Sequence, residues 1–272
     1  MKIGKATVPR SAICTSNEHH IVVRGQDLCD DLIGRIGFAD YFYFLLTGKR
    51  ADAATSSVLN ATLVAIAEHG MVPSVQAARM TLAAAPDAMQ GAVAAGILGC
   101  GSVILGASEA AGRLFVQIDE DAQKNGGDLR AAAHAAVTGL RAQRLPIPGY
   151  GHPEHKSRDP RVARLFQVSR EAGGGQRHVE IAEAVEAAIP GIMNRELKLN
   201  VSAAIPAVLL GVGFPVAALK GVPMLARTAG LIAHLNEELA EPSGFALSSG
   251  ATSEYEYTGD VPVGFDRSPD AG

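Results

Sequence analysis

The chain has 272 residues, 47% apolar and only 5% aromatic, with no tryptophan and a formal net charge of −4. That length supports one large domain or two smaller ones with a real core, and a core this poor in aromatics is built from alanine and leucine, which favours close-packed helices. The mild acidity, with no long run of one sign, argues against nucleic acid as a ligand.

Residues 1–25 hold the only extended reading. Met1–Lys5 lead into no apolar stretch of signal-peptide type, and a cytoplasmic protein is expected. Residues 11–15 and 20–24 favour strand, and the polar Ser16, Asn17 and Glu18 between them predict a short β-hairpin. Leu28, Leu32 and Ile33 then share one face of a helix ended by Gly34 or Gly37, and 38–46 form an apolar helix stopped by Gly48. Across 51–68, Val58, Leu59, Leu63, Val64 and Ile66 recur at helical spacing. Gly70 and Pro73 break that helix, and Ser74 is placed to cap the next. His69, at the end of the helix, has an ordinary role open to it: a cation there offsets the helix dipole. From Met80 to Gly101 the chain is nearly all Ala, Gly, Leu, Val and Met, which predicts one buried helix.

Residues 109–143 read as two helices, with Gly126 and Gly127 ending the first and Asp128 capping the second. Pro146, Pro148 and Pro153, with Gly149 and Gly151, then exclude a helix. This loop is dense in donors. It is either an anion-holding loop or a solvated connector. Helices are expected at 161–172 and 177–189, with Gly173, Gly174 and Gly175 as a flexible joint, Arg177 and His178 on the surface, and Pro190 and Gly191 closing the second. Ser202 suits a helix N-cap or a hydrogen-bond donor better than a nucleophile. The apolar run at 201–219 is broken by Pro206, Gly211, Gly213 and Pro215, too often for a bilayer span. Residues 223–238 form a strongly patterned helix carrying Arg227 and, two turns on, His234, which reads as structural. Cys14, Cys29 and Cys100 are an odd number without metal-ligand spacing and read as reduced thiols.

Five segments between about 20 and 257 resemble, in order and spacing, the citrate synthase superfamily. They are the opening Arg24–Gly34 with Leu45–Lys49; His69-Gly70 with Ser74 and Arg79; Gly101–Glu109; Gly149–His152 with Asp159-Pro160-Arg161; and Asn200-Val201-Ser202. The helix around Ala226-Arg227-Thr228 fits the same pattern. The resemblance implies an all-α two-domain fold with a short N-terminal β-hairpin. It implies a large domain at 1–108 and 206–272, a small one at 109–205, and a homodimer.

The resemblance also implies the site. His69, His152, Arg161 and Arg227 would converge on a di- or tricarboxylate substrate. Pro148, Gly149, Tyr150, Gly151, Lys156 and Lys198 would receive a coenzyme A thioester as substrate. No metal and no tightly bound cofactor is implied, because cationic groups do the electrostatic work. Two positions depart from the synthases. Ile104 stands where they carry a histidine that stabilises the enol, as an apolar residue does in the citrate-cleaving relatives. Ser202 stands at the catalytic aspartate, and a hydroxyl cannot replace a carboxylate as general base without a partner. With His69, His152 and Ser202 as the catalytic set, the expected activity is that of a citryl-CoA lyase-like carbon–carbon lyase giving acetyl-CoA and oxaloacetate. The alternatives are a condensing enzyme or lyase on another acyl-CoA, and a degenerate CoA-thioester-binding protein.

Overall fold

The computed structural model describes residues 8–151 and 158–265, and the fold is all-α apart from a small sheet at the start. Strands β1 (Cys14–Ser16), β2 (Ile21–Val23) and β3 (Gln26–Asp27) pair antiparallel in that order. The expected hairpin is there, with Cys14 opposite Val23. The Asn17 side chain accepts the His19 and His20 N–H groups and closes its turn. The third strand arises because Arg24 (φ +50°) and Gly25 (φ +85°) turn the chain back at once. The Arg24 guanidinium then donates to the Leu45 carbonyl at 2.6 and 2.8 Å, tying the sheet to the helix that follows.

A π-helical turn at Leu28–Leu32 buries Leu32 beside Val23 and Phe44. Ile33 does not share that face. It leaves the turn in extended conformation and is exposed. The helices after it are α1 (Phe38–Thr47), ended by left-handed Gly48, and α2 (Ala53–Ala67), capped by Asp52. Then come α3 (Pro73–Ala84), α4 (Met89–Leu98), α5 (Gly106–Lys124), α6 (Leu129–Ala142), α7 (Pro160–Glu171), α8 (Arg177–Met193), α9 (Val201–Gly211), α10 (Gly221–Ala240) and α11 (Gly244–Ser253).

Four local expectations change. The single helix expected at 80–101 is two, because Pro86 cannot continue α3. Ser74 is not a cap. Pro73 takes the first helical position, which its fixed φ suits, so Val72 is the cap and Ser74 is buried inside the first turn. Helix α8 runs through Pro190 to Met193, because Ile189 and Ile192 are both buried on its inner face. Gly173–Gly175 is a packed crossing rather than a flexible joint. Gly175 N–H donates to the Gly211 carbonyl at 2.9 Å, and a Cβ on Gly211 would meet the Gly175 oxygen at 2.3 Å. Arg177 keeps 41% of its side chain exposed, in line with its surface reading, and its Nε donates to Asp119 at 2.7 Å.

Packing divides the chain into two compact units. One takes the chain up to His69 with Cys100–Gly230, the other Gly70–Gly99 with the chain from Leu231 onward. The resemblance had implied a division at 109–205. In the first unit Phe115, Ile118, Val162, Ile181, Val185, Ile205 and Leu209 are fully buried. Gly112 lets α5 come close here, since a Cβ on it would lie 2.3 Å from the Leu219 side chain. In the second unit Val75, Ala78, Leu82, Ala92, Leu231 and Leu235 form the core. Its polar centre is Arg79, whose guanidinium meets Glu238 at 3.1 Å, His234 Nδ1 at 3.0 Å, Ser243 at 3.3 Å, and Glu237.

The helical run Val216–Ala240 is long and apolar enough, by length and composition, to cross a membrane. It nevertheless carries the buried Arg227 and Glu238, which suits a helix held inside protein.

Candidate active site

The proline- and glycine-rich loop is docked by backbone on the start of α9. Asn200 N–H donates to the Gly149 carbonyl at 3.0 Å, Gly151 N–H to the Lys198 carbonyl at 2.8 Å, and Asn200 Nδ2 to the Gly151 carbonyl at 2.7 Å. Tyr150 pairs with Leu199 as an isolated antiparallel bridge. Gly149 is required here twice over. Its φ is +85°, and a Cβ would lie 2.5 Å from Ala203 Cβ and 2.8 Å from Ala203 N. Gly149→Ala is therefore expected to cost about 1–3 kcal/mol through strain and overpacking, read as a lowered midpoint in thermal or urea denaturation. An unchanged midpoint would show that the loop is not seated on α9.

Tyr150 is turned inward. Its hydroxyl donates to the Ala182 carbonyl at 2.8 Å, and burial, with Glu186 adding to it, pushes the phenol well above its ordinary range. The ring is thus a fixed, neutral anchor, and what Tyr150 can offer a ligand is its backbone.

Beyond the loop, Asp159 caps α7 and is almost fully buried. Burial pushes its carboxyl up, but the Arg161 side chain, the Arg161 N–H and the Val201 N–H outweigh that and hold it below the usual carboxylate range. Arg161 grips it with Nε at 3.0 and 3.2 Å and Nη2 at 2.7 Å. Its Nη1 reaches the Ala65 carbonyl at 3.4 Å, at the end of α2.

Helix α10 comes to the same place. A Cβ on Gly230 would fall 2.1 Å from the Ala67 carbonyl and 3.5 Å from Glu68 Oε2, so only glycine permits this approach. Arg227 lies three residues earlier on α10, hence on the same face. It is buried, and its Nε has no hydrogen-bond partner among the described residues. Burial lowers its pKa, Cys100 and Glu68 oppose that, and Arg161 adds to it. Two guanidinium groups thus share one region, and one keeps a buried donor unsatisfied. Such an arrangement favours an incoming anion.

The other expected residues fall as follows. His69 follows Glu68, which leaves α2 in extended conformation. His69 is therefore one residue beyond the cap of α2 and not in its last helical turn. Ser202 is not the cap of α9. Asn200 is, accepting the Ser202 N–H at 2.9 Å, and Ser202 is the second helical residue and half-buried. Lys198 pairs with Glu196 at 2.9 Å, which holds the ammonium protonated to higher pH, and its carbonyl takes the Gly151 N–H. Ile104 sits in a π-helical turn at Gly101–Leu105 and is partly exposed. His152 and Lys156 lie outside the described residues.

The structure thus brings Arg161 and Arg227 together, and Pro148–Gly151 together with Lys198 and the start of α9. Asn200, Glu68 and Cys100 had not been expected as site residues. Their signals were faint: an Asx residue two before Ser202, an acid beside His69, and a cysteine opening the Ile104 turn. Among the described residues no three His, Cys, Asp or Glu side chains are grouped as metal ligands.

Residues 7–244 match the family model for the C-terminal domain of citrate synthase. The chain superposes on citryl-CoA lyase from Hydrogenobacter thermophilus with a TM-score of 0.82 at 31% identity, covering 96% of this chain and 98% of that one. ATP citrate lyase from Methanosaeta concilii, in complex with (3S)-citryl-CoA, aligns with a TM-score of 0.72 at 22% identity over 89% of this chain and 41% of that one. Citrate synthase from Thermotoga maritima aligns with a TM-score of 0.64 at 21% identity over 85% of this chain and 60% of that one. A citrate synthase-like protein from a Phoma species is 29% identical over 114 residues, 40% of this chain and 24% of that relative.

Proposed function

We propose, because this chain belongs to the citrate synthase family, that it is a carbon–carbon lyase. It cleaves citryl-CoA, or a related 3-hydroxy-3-carboxyacyl-CoA, to acetyl-CoA and oxaloacetate or another 2-oxo acid. The similarity to a citryl-CoA lyase along nearly the whole of both chains carries this reading. The apolar Ile104 in place of the synthases' histidine supports the cleaving direction.

Arg227, with its unsatisfied buried donor, takes a substrate carboxylate, and Arg161 flanks it with the N–H groups that Asp159 leaves over. The loop backbone at Pro148–Gly151, with Lys156 and Lys198, receives the coenzyme A portion. His152 polarises the hydroxyl oxygen that becomes the new carbonyl, and His69 assists. These cationic groups stabilise charge where it develops, which is the largest contribution in many enzymes. Ser202 favours a second reading, a protein that kept the cleft and lost the chemistry.

The two separate in one assay. Purified protein is mixed with citryl-CoA, acetyl-CoA is followed by chromatography, and oxaloacetate by coupled reduction with malate dehydrogenase. Equimolar products are expected. Calorimetric binding of coenzyme A with no turnover of citryl-CoA or its homologues would establish the binding-protein reading instead.

A further inference from the structure

Resting on that reading, we infer that Glu68 is the proton-carrying carboxylate of the reaction, in place of the aspartate whose position Ser202 occupies. Cleavage breaks the bond between the hydroxyl-bearing carbon and the methylene carbon beside the thioester. The hydroxyl gives its proton to a base and its oxygen becomes the 2-oxo carbonyl. The electron pair of the broken bond passes to the thioester enolate, whose carbon takes up a proton and becomes the methyl of acetyl-CoA. One proton leaves oxygen and one enters carbon. A single carboxylate that accepts the first and returns the second balances the reaction with no other reactant.

Ser202 cannot do this. Its hydroxyl is a poor acceptor near neutral pH, and its N–H is committed to Asn200. Two carboxylates stand at the arginine pair among the described residues. Asp159 is unsuited, because it is almost fully buried and serves as the cap of α7. Glu68 remains. It is exposed, it directly precedes His69, and its backbone leaves α2 in extended conformation. Gly230 lets α10 approach until Glu68 Oε2 lies 3.5 Å from where a Cβ on that glycine would be. That face of α10 carries Arg227 one turn away. A substrate carboxylate on Arg227 therefore sets the reacting carbons beside Glu68, within reach of a side chain with three rotatable bonds.

The test is steady-state cleavage of citryl-CoA by wild type, Glu68→Gln, Ser202→Asp and the double variant, with denaturation midpoints for each. Glu68→Gln is expected to lower kcat at least about 100-fold, the lower end for general acid–base catalysis, with KM and midpoint little changed. The double variant is expected to regain activity over Glu68→Gln, because an aspartate at 202 restores a carboxylate. A Glu68→Gln enzyme with wild-type kcat overturns the inference. So does a loss confined to KM, which would make Glu68 a residue that only positions Arg227. A wild type that cleaves no citryl-CoA overturns the reaction reading itself, and this inference with it; an active wild type with an equally active Gln variant overturns the inference alone.

Discussion

Replacing Arg79 with Met is expected to destabilise the protein by about 3–5 kcal/mol, the range for removing one partner of a buried ion pair. The pair itself adds little, because two charges have been taken out of water to form it. Its removal is costly because Glu238 stays behind. That carboxylate is 2% exposed and the Arg79 side chain 5%. Burial pushes the Glu238 pKa up. The Ser243 hydroxyl, the Gly244 and Ser243 N–H groups and Arg79 more than reverse this and hold it below its ordinary value. A lowered folded-state pKa means stability that is fully present above the unfolded value and is lost as pH falls through the folded one. The wild type should therefore lose part of its stability on the acid side of about pH 4, the ordinary carboxylate range. In Arg79→Met that loss should begin at higher pH. Adding Glu238→Gln should return part of the deficit, since it removes the stranded charge. Urea denaturation of the two single variants and the double variant measures all three statements. A full-cost Arg79 variant with no recovery in the double would place the damage in lost packing instead.

The helical reading held where apolar periodicity and end signals agreed. Helix α6 starts at Asp128, whose side chain caps it, and α1 stops at Gly48, which needed a left-handed backbone. It failed where the deciding partner was distant in sequence. Val64 keeps helical spacing with Val58 and Ile66 but lies exposed, because periodicity does not say how wide the buried stripe is. Three consecutive glycines read as a joint, since nothing local discloses that Gly211 will press against Gly175. Pro190 read as a stop, since the burial that carries α8 past it comes from tertiary packing.

At the site, composition marked the loop as special but left its purpose open, and the resemblance named its neighbours. What neither conveyed is the division of labour between the two arginines. Asp159 was legible as part of a motif, but only the fold shows that it engages Arg161 with both oxygens. Glu68 carried no reading in the sequence, because its neighbour on α10, Gly230, is distant along the chain.

That division gives the second large effect. Arg227→Leu should weaken binding of oxaloacetate or citrate by about 2–4 kcal/mol, roughly 30- to 1,000-fold in Kd, the scale for losing a desolvated charge partner. Its folding stability should stay the same or rise. Arg227 is a buried cation with an unsatisfied Nε, and an apolar side chain of similar size removes that penalty. Arg161→Leu should behave in the opposite way on stability. It strands Asp159, whose side chain is 1% exposed, and so should lower the denaturation midpoint while also weakening the dicarboxylate. Asp159 has a depressed folded-state pKa, so the stability it confers is present above the ordinary carboxylate value and lost as pH falls through the folded one. Without Arg161 that acid-side loss should move to higher pH. Coenzyme A binding should survive in Arg227→Leu, because the loop proposed to receive it is fixed by Asn200, Gly149 and Lys198, which Arg227 does not hold. Calorimetry with each ligand and denaturation of both variants separate the roles. If Arg227→Leu binds the dicarboxylate as well as the wild type does, that residue is not the anchor. If Arg161→Leu is as stable as the wild type, Asp159 does not depend on it.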